Sequence, residues 1–128
     1  MGYYDNFCDV NVLVGKTLSS VDGAAVGGGV ITFTTIDGDV YRMLHMQDCC
    51  ESVRVEDIVG DIQDLVGEPL LIAEEVSGEI PTDFNPLEHD SVTWTFYKFA
   101  TRKGYVDIRW LGESNGYYSE SVSFCKEV

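Results

Sequence analysis

The stretch HMQDCCESV, His45 to Val53, gathers an imidazole, a carboxylate and two adjacent thiols within a few positions. Such groups bind metals, exchange disulfides or activate nucleophiles. Zinc prefers thiolate pairs separated by about two to four residues, and the adjacent Cys49 and Cys50 fit that spacing poorly. The other histidine, His89, lies far along the chain. A thioredoxin-like centre needs Cys-x-x-Cys, which is absent. Asp48 and Glu51 have capping-box spacing, in which Asp48 accepts from first-turn amides and Glu51 reaches back. Amides at a helix start favour a thiolate, but two carboxylates beside it oppose that effect. The stretch therefore reads as a strand-to-helix joint with buried cysteines and a packed His45.

Other catalytic arrangements find little support. There is no Gly-x-Ser-x-Gly elbow with a histidine placed to serve it. The glycines of AVGGGV lack the Lys-Ser/Thr of a phosphate loop and its strand-loop-helix setting, and suit a loose hairpin connection. Carboxylate pairs such as Glu74-Glu75 are common in so acidic a chain and alternate across a strand. These motifs require no metal and no cofactor, and the chain reads as a non-enzyme.

Aromatic density is the unusual feature. Trp94, Phe96, Tyr97, Phe99, Tyr105, Trp110, Tyr117 and Tyr118 fall close together, interleaved with Lys98, Arg102, Lys103 and Arg109. On strands, Trp94 and Phe96 share one face, Tyr97 and Phe99 the other, and Arg109 faces opposite Trp110. One set can build a core. The other is left to make an interface or a pocket, where a base stacked on a ring is worth about 1–3 kcal/mol and an arginine can hold a phosphate bidentately.

The elements that must position these residues read as α+β. KTLSSVDG is a brief strand, and VITFTT, Val30 to Thr35, is a half-buried strand with Ile31 and Phe33 on one face. Asp37-Gly38 turns it back into Val40 to Met46, through a hairpin whose two turn positions both need positive φ. Val55, Ile58, Val59, Ile62, Leu65 and Val66 recur with a 3.6-residue period, which predicts a helix stopped by Gly67 and Pro69. LLIAEEV is a strand, SGEIPTDFNPLEHD a surface excursion, and the last third holds antiparallel strands turned at Arg102–Gly104 and Ser114–Gly116. The expectation is an antiparallel sheet of about six strands with a short helical insertion between the third and fourth, in one domain spanning residues 1–128.

The totals narrow the functions. With 128 residues the chain can bury one real core. A net charge of -14 argues against duplex DNA or an anionic membrane as partner, since both demand a basic footprint. It leaves room for a small anion held by two or three arginines. No apolar run approaches the roughly 20 residues of a membrane span, and the N-terminus lacks a signal-peptide pattern, so a cytosolic protein is expected. Cys8, Cys49, Cys50 and Cys125 then read as reduced thiols.

Several segments carry a resemblance: GKTLSSV, YRMLHMQDCCESVRVEDIVGDIQDLVG, LLIAEEV and TWTFYKFATRKGYVDIRWLGESNGYYSES. Together they resemble a domain found in phages and prophages, and their layout resembles the first described type of Thoeris anti-defence protein. The resemblance covers about residues 15–124, leaving 1–14 as an N-terminal extension. It implies a sponge that binds cyclic ADP-ribose-type immune signals and holds them without cleavage, in the cytoplasm of the infected bacterial host. It also implies a hexamer assembled from homodimers and, in some members, a second site for cyclic trinucleotides. From residue type and strand position, Arg109 and Arg54 are the candidate phosphate contacts, Trp94, Phe99 and Trp110 the stacking rings, and Asn115 the polar contact. Two alternatives stand beside it, a protein-interaction or structural phage domain without a nucleotide ligand and a nucleotide-hydrolysing enzyme.

Overall fold

Strict alternation shapes the chain. In Val30–Thr35, Ile31, Phe33 and Thr35 are buried while Val30, Thr32 and Thr34 face outward. A computed structural model of the protein describes residues 7–47, 50–77, 91–114 and 119–127. Among these described residues are eight strands: β1 Leu18–Asp22, β2 Val30–Thr35, β3 Val40–Leu44, β4 Ser52–Val59, β5 Ile72–Ser77, β6 Ser91–Thr101, β7 Gly104–Ser114 and β8 Ser123–Lys126. They form two four-stranded antiparallel sheets, ordered β1-β2-β3-β8 and β4-β7-β6-β5.

The inner faces of the sheets share one core. Ile31, Phe33, Tyr41, Met43 and Phe124 come from the first sheet, and Val55, Tyr97, Phe99, Val106, Ile108 and Trp110 from the second. Phe33 meets Phe99 across the gap with ring centroids 5.6 Å apart, and Trp110 Nε1 donates to Met43 Sδ at 3.2 Å. Each such large side chain, fully buried, stabilises the fold by about 1.5–3 kcal/mol. Residues 7–14 belong to this body: Cys8 N–H donates to the Phe124 carbonyl at 3.0 Å, and Val10 and Leu13 of a 3-10 turn are buried in the core.

Among the described residues there is no helical insertion, and the fold is not an α+β sheet of about six strands but two antiparallel sheets of four. Residues 52–59 are β4, and Ile62–Leu65 form a single 3-10 turn. The physical reason lies in a bulge. The register of β4 on β7 shifts between Val55 and Asp57, so the extra residue brings both Val55 and Ile58 to the core side. A spacing of three thus arises in a strand. Gly60 then breaks the strand at φ +105, where an added Cβ would lie 2.3 Å from the Tyr105 carbonyl oxygen. Ile62 and Leu65 are also three apart because a 3-10 turn repeats every three residues, and Asp61 caps it by accepting from Gln63 N–H at 2.9 Å. A bulge, a break and a tight turn add up to the period of a helix.

The hairpin after β2 also differs in detail. No non-glycine residue has positive φ among the described residues, so Asp37 does not, while Gly38 has φ +95. Residues 36–38 form a three-residue connection, closed by Thr35 N–H donating to Asp39 O at 2.8 Å and Gly38 N–H to Thr35 O at 3.0 Å. The glycine-rich segment after β1 covers the edge of β4: Gly27 N–H donates to Val55 O at 2.7 Å and Val55 N–H to Gly28 O at 2.9 Å. Its pairing keeps an edge strand from being exposed. Among the described residues no helix is long and apolar enough to cross a membrane.

Candidate functional site

On a strand paired in fixed register, every second residue of each neighbour joins one surface. The outer face of the second sheet collects Arg54, Leu111 and Trp94 in one cross-strand row of β4, β7 and β6. The next row holds Asp57, Arg109, Phe96 and Val76. The Arg109 guanidinium lies 5.4 Å from the centroid of the Phe96 ring, a cation–π arrangement, and Trp94 meets Phe96 edge-on at 6.1 Å. Phe96 is half-buried and Trp94 only 9% exposed, so Phe96 offers the more accessible ring.

Acidic partners surround the arginines. Arg54 donates from Nη1 to Glu113 at 2.8 Å and to Ser52 Oγ at 3.1 Å, and its Nη2 lies 3.3 Å from Glu56. Arg109 Nη1 is 3.6 Å from Asp57, and Lys98 Nζ is 3.6 Å from Asp107 one row further on. These pairs are partly exposed, where an ion pair is worth about 0–1 kcal/mol, so none locks its arginine.

The six candidate residues therefore divide. Arg54, Arg109 and Trp94 come together on the outer face. Phe99 and Trp110 are fully buried between the sheets, against Phe33 and Met43 respectively. Asn115 lies outside the described residues. Phe96, which alternation sets beside Trp94, and the carboxylates Asp57 and Glu113 complete the outer face, and none of the three is among the six candidates. Phe96 shares a face with Trp94 by alternation, but only cross-strand register reveals which charged residues stand beside it.

The HMQDCCESV stretch connects β3 to β4, not a strand to a helix, and so Glu51 caps nothing helical. His45 Nε2 lies 2.6 Å from Glu51 Oε2, and Nδ1 lies 2.6 Å from the Ser121 carbonyl oxygen. The carbonyl can only accept, so Nδ1 donates. Both side chains are buried, and Gln47 Nε2 donates to the Glu51 carbonyl at 2.6 Å. Buried and with both ring nitrogens engaged, the imidazole ties the end of β3, the start of β4 and the approach to β8 together. Beside it, buried Glu120 accepts from Thr93 Oγ1 at 2.8 Å and from Ser114 Oγ. Its backbone passes so close to Gly112 that an added Cβ there would meet Glu120 at 2.7 Å.

The cysteines depart from the reading of buried, reduced thiols at one described position. Cys50 is exposed and disulfide-bonded, whereas Cys8 and Cys125 are free. Cys49 and Asp48 lie outside the described residues. Burial pushes the Cys8 and Cys125 thiols above their ordinary range, for Cys8 with help from Cys125 and Asp9, which makes both poor nucleophiles. Among the described residues no group of three or more His, Cys, Asp or Glu is arranged to hold a metal ion.

No curated protein and no solved structure matches the chain. One family model does, over residues 11–124, and the chain accordingly belongs to the family described as a domain of unknown function, DUF7448.

Proposed function

We propose that the protein binds a cyclic ADP-ribose-type signalling nucleotide on the outer face of its second sheet and sequesters it without cleavage, as a phage anti-defence sponge. One observation carries this reading: a guanidinium, Arg109, set against a half-buried aromatic ring, Phe96, with Trp94 beside it and a second arginine, Arg54, in the adjacent row. Stacking and bidentate donation are the two interactions a nucleotide rewards most. The resemblance to the first type of Thoeris anti-defence protein supports the choice of ligand class, the homodimer-based hexamer, the accommodation of cyclic trinucleotides and the cytoplasm of the infected host as the place of action. Phe99 and Trp110 take no part in the site, because their rings are already packed in the core.

A thermal-shift screen against cyclic ADP-ribose isomers and cyclic di- and trinucleotides tests the reading. A ligand at 100 times its dissociation constant adds about 2.7 kcal/mol of stability. Heat-released ligand is then identified by chromatography. Intact ligand is expected; a linear or hydrolysed product would make the protein an enzyme, and no shift with any nucleotide would favour a protein-interaction domain.

A further inference from the structure

The arginines of the outer face already hold anions. Glu113 and Glu56 sit on Arg54, and Asp57 sits near Arg109. Glu74 lies across from Lys98, and Asp107 pairs with it. Among the described residues, the carboxylates on and around this face, Glu56, Asp57, Glu74, Asp107 and Glu113, outnumber its cations, Arg54, Lys98 and Arg109. An incoming phosphate therefore exchanges one anion for another at each guanidinium and meets repulsion from those that stay. Such an exchange yields little affinity by itself. A ligand that also lays an aromatic ring on Phe96 gains roughly ten- to a hundredfold from stacking, which the exchange does not cancel.

We propose that Glu113 and Asp57 are specificity-determining counter-ions: they occupy the phosphate positions on Arg54 and Arg109, so that only an anion bringing an aromatic group to Phe96 displaces them. This rests on the outer face being the nucleotide site. In consequence the acidic character of the chain is part of its selectivity. Abundant small anions such as phosphate and pyrophosphate are refused, although two arginines stand in neighbouring rows. Removing the counter-ions trades that selectivity for affinity, which is how a repulsive element sets specificity.

Calorimetric titration of the full chain with cyclic ADP-ribose and, separately, inorganic pyrophosphate tests this, using wild type, Glu113→Gln, Asp57→Asn and the double variant. The double variant is expected to bind pyrophosphate at least about tenfold more tightly than wild type, and to gain less for cyclic ADP-ribose, so that the preference for the nucleotide shrinks. Glu74→Gln removes the same charge from the same face without touching an arginine, and is expected to change pyrophosphate affinity by less than about twofold. An equal gain from Glu74→Gln would overturn the proposal, because general acidity would then be the cause. Unchanged or weaker pyrophosphate binding by the double variant would also overturn it, the latter by making the carboxylates supports of the arginines. If wild type binds no cyclic ADP-ribose, the nucleotide reading fails and the specificity proposal falls with it; if cyclic ADP-ribose binds while the double variant leaves pyrophosphate affinity unchanged, the counter-ion proposal alone is overturned. Should the double variant melt early, the single substitutions give the same comparison.

Discussion

The two faces of the β6–β7 pair are built from similar residues and behave as opposites. Inward, Tyr97, Phe99, Ile108 and Trp110 are fully buried, and the Trp110 indole finds its acceptor in Met43 of the other sheet. Outward, Phe96, Lys98, Asp107 and Arg109 keep part of their surface, with a guanidinium on a ring and carboxylates close by, while Trp94 and Leu111 in the adjoining row are buried. The difference teaches that aromatic density is not in itself a sign of a site. What separates a core ring from a binding ring is the parity of its position and what the facing sheet supplies.

That contrast can be broken by substitution. The largest effect belongs to the inner face: Trp110→Ala or Phe99→Ala is expected to cost about 3–5 kcal/mol in chemical denaturation, through lost burial and an unfilled cavity. A loss below about 1 kcal/mol would show that the sheets do not pack there as described.

Next in size is Phe96→Ala, expected to cost about 1 kcal/mol because the ring is only half-buried, while lowering nucleotide affinity about tenfold or more. Equal stability losses for Phe96→Ala and Phe99→Ala would erase the distinction between the faces.

Tyr97 sharpens the inner face chemically. Burial pushes its phenol well above the ordinary value of about 10, and the Glu75 carboxylate, which accepts from its hydroxyl at 3.2 Å, and then Asp9 add to the shift. The unfolded chain releases this proton near pH 10 while the folded chain keeps it. Above that pH the unfolded state binds fewer protons than the folded one, so the contribution of Tyr97 to stability falls as pH rises from about 10. Melting temperatures across pH 9 to 11.5 should drop less steeply for Tyr97→Phe, and an identical slope would mean that the phenol is not buried.

The smallest stability effect belongs to Arg109→Ala, expected within about 0.5 kcal/mol because its ion pair is partly exposed. Its nucleotide affinity should fall at least about tenfold. A large loss of stability with binding intact would make Arg109 structural and remove it from the site.

Much was legible in the residues alone. The alternation of VITFTT, the strand character of LLIAEEV, the return strand after Asp37-Gly38 and the turn at Arg102–Gly104 all follow from local backbone preference, and the strands appear there. So does the separation of Trp94 and Phe96 from Tyr97 and Phe99, since period two needs no knowledge of neighbours. Residues 55–66 were illegible because a bulge and a 3-10 turn each produce spacings of three, and their sum imitates a helix. Glu51 carried a similar ambiguity: its spacing from Asp48 fits a cap, and only the tertiary approach of its chain to His45 makes it half of a buried pair.

What the sequence by itself determined is therefore the set of strands with strong alternation, the acidity, and which side chains on each strand face together. Tertiary structure decided the rest: that two sheets close over one core, that β7 lies between β4 and β6, and that Arg54 and Arg109 share a surface with Phe96 yet come with carboxylates attached. These depend on register between segments distant in the chain. Long-range pairing is set by the joint burial of both inner faces, a quantity no local window contains.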